Sequence, residues 1–168
     1  MMCSIRPWEM GDANDLALAL NNRSILDNLR DGLPFPYTAA DAAVYIQAMR
    51  SADVSKTYAF AIVLEHQVIG SIGAFRQENI HSQTAEIGYY IAEPYWGKGI
   101  GTSAIQQTCQ FLFSNTNIIR IFAEPFAHNI ASCRALEKAG FALEGILRKN
   151  AVKNGAVVDM KMYALVRD

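Results

Sequence analysis

The chain has 168 residues, of which 51% are hydrophobic and 18% charged, and its formal net charge is −1. Such a composition is globular and long enough for one buried core, so disordered and fibrous classes are excluded. The near-neutral balance supplies no electrostatic footprint for nucleic acid or for an anionic membrane, and neither is expected as a partner.

Taken in chain order, Ser4–Trp8 reads as a short opening strand and Asp12–Leu20 as a helix, with Leu16, Leu18 and Leu20 among alanines. The stretch Gly32-Leu33-Pro34-Phe35-Pro36-Tyr37 breaks helix, because each proline fixes φ and pushes its predecessor towards extended backbone. Thr38 is a good N-cap for a second helix to about Arg50, with Asp41 at the capping-box position. Tyr58–Leu64 and Val68–Phe75 read as strands joined through Glu65-His66-Gln67. In Thr84–Ala92 the residues Ala85, Ile87, Tyr89 and Ile91 alternate with Glu86, Gly88 and Tyr90, the period of a strand with two distinct faces.

A glycine-rich turn then leads into a helix over about Gly101–Ser114, followed by a compact apolar strand at Ile118–Ala123. Asn129–Ala139 is helical, and Gly140 suits the left-handed position that ends it. Leu143–Lys153 and Ala156–Val166 form a hairpin turned at Asn154-Gly155, a strong two-residue signal. The order is strand, two helices, three strands, helix, strand, helix, two strands. A meander followed by βαβα predicts an α/β fold on a mixed sheet. No repeat or low-complexity linker interrupts residues 1–168, which are read as a single domain.

Cys3, Cys109 and Cys133 are odd in number and lack metal-ligand spacing, as do His66, His81 and His128. Free thiols in a reducing compartment are expected, with no metal site. No apolar run approaches the roughly 20 residues that cross a bilayer, and no leader-like segment is recognisable. The expected location is therefore cytoplasmic.

The segment richest in chemistry is Glu93–Thr102, a strand end, a turn with three glycines and a helix start. Glycines let backbone N–H groups converge without Cβ obstruction, and a helix N-terminus adds unpaired donors and a positive dipole end. Together they suit a phosphate. A Walker loop needs Ser or Thr after its lysine, whereas Gly99 follows Lys98; a dinucleotide fingerprint needs Gly or Ala where Thr102 stands. A bare glycine-rich connection without ligand is the remaining alternative.

Tyr95-Trp96-Gly97-Lys98-Gly99-Ile100-Gly101 resembles motif A of the GNAT superfamily of N-acetyltransferases. Gly99 and Gly101 match its glycine positions, and Trp96 replaces the usual Arg or Gln. The resemblance spans nearly the whole chain. Leu33-Pro34-Phe35-Pro36-Tyr37-Thr38 with Asp41-Ala42 resembles a signature of the ribosomal-protein N-terminal (RimJ/RimL-like) branch. Ala85-Glu86-Ile87-Gly88-Tyr89 is similar to the family's fourth strand. Asn129, Ser132, Leu136–Phe141 and Leu143-Glu144-Gly145 with Arg148 are similar to its last helix and the strand after it.

The resemblance implies a mostly antiparallel sheet of about seven strands, about four helices, and fourth and fifth strands that splay around the pantetheine of acetyl-CoA. Backbone groups near Tyr90 and Ile91 would meet pantetheine, and amides of Gly97, Lys98, Gly99, Gly101 and Thr102 would hold pyrophosphate. Asn129 would bind the pantetheine arm, with Ser132 beside the sulfur; ordinary capping is the alternative for both. Glu86, a carboxylate in an otherwise apolar strand, is the candidate general base, unless it is merely paired. Phe35, Tyr37 and Tyr90 are candidate walls of an acceptor pocket. The implied reaction is direct acetyl transfer to a primary amine, on a protein N-terminus or a small molecule such as an antibiotic, polyamine or amino acid. A non-catalytic acyl-CoA-binding protein is the rival. The resemblance also implies a homodimer. Some ribosomal-protein acetyltransferases carry a carboxylate near the position of Ala151, and its absence leaves the acceptor open.

Overall fold

The computed structural model describes residues 2–168 and forms three layers around one seven-stranded sheet. The strands are β1 (Ser4–Pro7), β2 (Thr57–Leu64), β3 (Gln67–Arg76), β4 (Thr84–Ile91), β5 (Arg120–Ala123), β6 (Ala142–Lys153) and β7 (Ala156–Val166), and their spatial order is β1-β2-β3-β4-β5-β7-β6. Every neighbouring pair is antiparallel except β4 and β5. The mixed α/β fold with a mostly antiparallel sheet is thus as expected.

Five helices cover the sheet: α1 (Ala13–Leu20), α2 (Arg23–Leu26), α3 (Ala39–Ser51), α4 (Ile100–Asn115) and α5 (Ile130–Lys138). The sequence reading expects about four, and the extra one is α2. It has only 4 residues, too few to display a helical period, and it forms because Asn22 caps it by accepting from the Ser24 amide at 2.8 Å. The strand expected from Ile118 begins at Arg120, since Ile118 and Ile119 lie in an irregular approach.

One face of the sheet packs against α4 and α5. There Ile72, Ile105, Leu112, Ile121, Leu136 and Tyr163 are fully buried. The opposite face carries α1 and α3, with Trp8, Leu16, Leu20, Ala42 and Ile46 at its centre. Each such aliphatic side chain contributes about 1.5–3 kcal/mol on leaving water. Charge fixes the entry to the second layer. Arg6 on β1 grips buried Asp12 through two bonds of 2.8 Å, and the Glu9 amide adds a third. Those donors hold the Asp12 carboxyl below its ordinary range, the Arg6 hydrogen bonds being the largest cause.

Local signals behave as expected. Thr38 and Asp41 exchange side-chain and backbone bonds at 2.9 and 3.2 Å, the full capping box of α3. Asn154 and Gly155 both take positive φ, 51° and 78°, in the β6–β7 turn. Gly140 follows α5 with φ 100°. Cys3, Cys109 and Cys133 are buried free thiols, and burial pushes Cys109 up to about 12. Among the described residues no helix is long and apolar enough to cross a membrane.

Candidate active site

The sheet opens between β4 and β5. The parallel ladder pairs Thr84, Ala85 and Glu86 with Arg120, Ile121 and Phe122, and then stops, although β4 continues to Ile91. Strand parity shows which groups face the gap. On the other side β4 pairs with β3 as far as Gly70 and Ile91, and the Ala92 amide donates to Ile69 at 2.7 Å. Backbone groups at even positions, Tyr90 included, therefore bond β3, and the amides of Tyr89 and Ile91 face the gap. Of the two positions named from the sequence, Ile91 presents backbone to the opening and Tyr90 does not. Tyr89, not singled out by the sequence reading, takes that place.

Beside the gap runs the glycine turn. Gly97 and Gly99 have φ of 73° and 76°, and Gly99 is the N-cap of α4. A Cβ at either would meet nothing within 4 Å, so glycine is needed here for backbone conformation and not for space. The first amides of α4, at Ile100, Gly101 and Thr102, lie in its opening turn, where a helix leaves donors unpaired. Gly101 packs near the Tyr89 ring and Ala135, each about 3.7–3.8 Å from a virtual Cβ, and so ties the turn to β4 and α5. Lys98 is exposed, with its ammonium 5.6 Å above the Tyr95 ring.

Trp96, the departure from the motif, has a definite job. Its indole N–H donates to the Ile91 carbonyl at 2.7 Å, pinning the turn to the end of β4, while the residue stays 45% exposed. An arginine could serve a phosphate from this position. The indole instead fixes the distance between turn and strand.

On the α4/α5 face, Asn129 caps α5 by accepting from the Ser132 amide at 3.3 Å, so the capping alternative holds for its Oδ1. Ser132 Oγ lies 2.7 Å from the Tyr89 hydroxyl, which also donates to the Ser132 carbonyl at 3.2 Å. Burial pushes the Tyr89 hydroxyl up to about 12, the Ser132 hydrogen bond acting the other way. Two coupled neutral hydroxyls therefore stand on this side of the gap. A buried tyrosine needs a partner for its hydroxyl, and that was the available signal for Tyr89.

On the α1/α3 side the rim of the gap is charged. Glu86, one-quarter exposed, forms an ion pair with Arg30 Nη2 at 3.0 Å, and the same nitrogen donates to Glu124 at 3.5 Å. Glu124 follows the last residue of β5 and was missed by the sequence reading, since nothing local marks it. Burial, then the nearby Glu86, push its carboxyl above the ordinary range, and Arg30 acts against them. Gly88 is exposed and bare between Glu86 and Tyr90, which leaves an open floor on β4.

The three aromatics named from the sequence do not share one wall. Tyr37 is 4% exposed within the α1/α3 core, Tyr90 packs against that same core, and Phe35 is 47% exposed under the Arg23 guanidinium. Glu144 pairs with Arg120 through bonds of 2.7 and 2.9 Å. Among the described residues no group of three His, Cys, Asp or Glu could hold a metal ion.

This geometry has clear counterparts. Residues 4–142 match the family model described as an acetyltransferase (GNAT) domain. The probable N-acetyltransferase YjcK of Bacillus subtilis is 31% identical over 96% of this chain and 92% of its own length. The ribosomal-protein-serine acetyltransferase of Escherichia coli is 32% identical over 65% of this chain and 60% of its own. Among solved structures, the microcin C7 self-immunity acetyltransferase MccE in complex with acetyl-CoA and AMP superposes with a TM-score of 0.83, at 25% identity, over 98% of this chain and 92% of its own. With a matching model over most of its length, a near full-length relative and the splayed β4–β5 sheet, the chain belongs to the GNAT acetyltransferase family.

Proposed function

We propose that this protein transfers an acetyl group from acetyl-CoA to a primary amine, by direct attack in a ternary complex. The observation that carries the reading is the β4–β5 gap with different chemistry on its two sides: coupled hydroxyls towards α5, carboxylates towards α1 and α3. Acyl transfer needs both at once, since a thiolate must leave while an ammonium must lose its proton.

In this reading the amides of Gly97, Lys98, Gly99, Gly101 and Thr102 bind pyrophosphate, drawing on the positive end of α4. Asn129 keeps its two Nδ2 donors for the pantetheine arm while its Oδ1 caps α5. The Ile91 amide, facing the gap, donates to the thioester carbonyl and to the oxyanion that forms from it. Ser132 hydrogen-bonds the departing sulfur once the Tyr89 hydroxyl turns its one proton from the Ser132 carbonyl to Ser132 Oγ, which frees the serine proton. Glu86 takes the proton that the amine sheds. An α-amine has pKa about 8 and a lysine about 10.4, so a lysine costs about 3 kcal/mol more to present as the free base. A positioned base contributes about 10²–10⁴-fold.

The ribosomal relative favours a protein N-terminal amine as acceptor, and a small-molecule amine is the other branch of the same reading. One observation favours a non-catalytic acyl-CoA-binding protein instead: Arg30 already sits on the proposed base. An acetyl-transfer assay that detects free CoA, run over N-terminal peptides, polyamines and aminoglycosides, decides between them. Turnover with any amine supports transfer. Saturable acetyl-CoA binding with no turnover across the panel favours the sensor.

A further inference from the structure

The loop after α2 places Arg30 where its single nitrogen Nη2 lies between two carboxylates, 3.0 Å from Glu86 and 3.5 Å from Glu124. One nitrogen shared by two carboxylates is the arrangement in which a primary ammonium is held, and not the fork-to-fork geometry that a guanidinium prefers with one partner. Arg6 with Asp12 and Arg120 with Glu144 show that fork elsewhere in this chain. Arg30 is also the most exposed member of the cluster, its side chain 62% accessible against 24% and 22% for the two glutamates. It follows α2 in a stretch, residues 30–36, that is exposed throughout and without regular structure. An exposed arginine loses little by swinging into water, because a surface ion pair contributes only about 0–1 kcal/mol.

A groove of about 380 Å³ continues from this point, lined by Arg30, Asp31 and Glu124 on one side and by Ala151, Val152 and Lys153 of β6 on the other, with Phe126 and Met160 among its other walls. Lys153 reaches across to Asp31 at 2.9 Å, so those two charges cancel. What remains at the inner end is two carboxylates and one guanidinium, an excess of one negative charge. Glu124 stands two residues beyond Phe122, the last β5 residue paired with β4, at the mouth of the β4–β5 gap. Burial and then the nearby Glu86 push the Glu124 carboxyl up, and the second of these agrees with one cation serving two anions.

We propose that Glu124 is a second acceptor-binding residue, that Glu86 and Glu124 together seat the acceptor's ammonium, and that Arg30 is an internal stand-in which the acceptor displaces. The proposal rests on the acetyl-transfer reading for the identity of the reaction, and adds the substrate class: a cationic primary amine on a carbon without a carboxylate, its chain lying along the half-apolar groove. A carboxylate beside the amine would be set against both glutamates. An α-amino group followed by a peptide bond, or an alkylamine, meets no such repulsion. Holding the ammonium with Glu124 leaves Glu86 at the mouth of the gap to take the proton.

The test uses methylguanidine, a cation of the displaced shape that carries no acetyl-accepting primary amine. It is titrated into the full-length protein while backbone amide shifts are followed by NMR. Arg30→Ala should bind methylguanidine saturably, with shifts centred on residues 86–88 and 124, and Arg30→Gln should repeat the result. The wild type, with its own arginine in place, should bind at least about tenfold more weakly, and so should Arg30→Ala combined with Glu124→Gln. No saturable binding to either Arg30 variant, or equal binding when Glu124→Gln is added, overturns the proposal. Acetyl-CoA titrated into the wild type is a separate readout: its failure to bind removes the transfer reading and leaves the methylguanidine result to judge the seat alone.

Discussion

The two faces of the sheet meet at the β4–β5 gap with unlike materials. Towards α4 and α5 the groups are neutral and short-range: a glycine turn, a capping asparagine, and the Ser132–Tyr89 hydroxyl pair at 2.7 Å. Towards α1 and α3 they are charged and brought from distant segments: Arg30 from the loop after α2, Glu86 from β4, Glu124 from beyond β5. The first side suits a ligand whose contacts are backbone and polar, and whose sulfur leaves as an anion needing a hydrogen bond. The second suits a ligand that arrives as a cation and must give up a proton. In the proposed reading, specificity divides the same way: the hydroxyl side would hold the donor through backbone groups, and the charged side would tell acceptors apart.

The largest effect is expected at Glu86. Glu86→Gln keeps the shape and removes the base, and kcat should fall about 10²-fold near neutral pH. The deficit should shrink as pH rises through the amine's own pKa, about 8 for an α-amine, because the acceptor then arrives already neutral. A pH–rate profile parallel to the wild type would remove Glu86 from proton transfer. On the other face, Gly99→Ala places a side chain at φ 76° and costs about 1–2 kcal/mol. Acetyl-CoA affinity should drop about tenfold by isothermal titration, with little change in the acceptor's KM.

Ser132→Ala removes one hydrogen bond to the leaving sulfur, worth about 1 kcal/mol, so kcat should fall about fivefold while the Kd for acetyl-CoA stays the same. Unchanged turnover would leave the Ser132 hydroxyl with only its structural bond to Tyr89. The smallest effect belongs to Trp96→Phe. Loss of the 2.7 Å bond to Ile91 loosens the turn against β4, and the KM for acetyl-CoA should rise about threefold.

Much of the hydroxyl side was legible in the sequence because its parts are local. The Gly97–Gly101 turn, the Asn129/Ser132 pair three residues apart and the alternation of β4 each lie within one element or its cap. The fold followed for the same reason: the Thr38–Asp41 box, the Asn154-Gly155 turn and Gly140 after α5 are punctuation that acts over a few residues. Tyr89 escaped because alternation assigns its ring to the apolar face and says nothing of the hydroxyl at its tip. The Arg30–Glu86–Glu124 cluster escaped for a deeper reason. Its members are 56 and 38 residues apart in sequence, and only the parallel pairing of β4 with β5 and the packing of the α2 loop bring them together. The short helix α2 that carries this loop has no period to read.

In the proposed reading, amine and sulfur occupy opposite faces of the sheet, joined through the gap. A crystal structure with an acetyl-CoA analogue whose sulfur is replaced by methylene would test it most directly. Pyrophosphate should lie on the amides of residues 97–102, the ketone oxygen on the Ile91 amide, the methylene beside Ser132 and Tyr89, and the carbonyl carbon open towards Glu86 and Glu124. A pantetheine arm outside the β4–β5 gap, or a methylene lying on the Glu86 side, would contradict it.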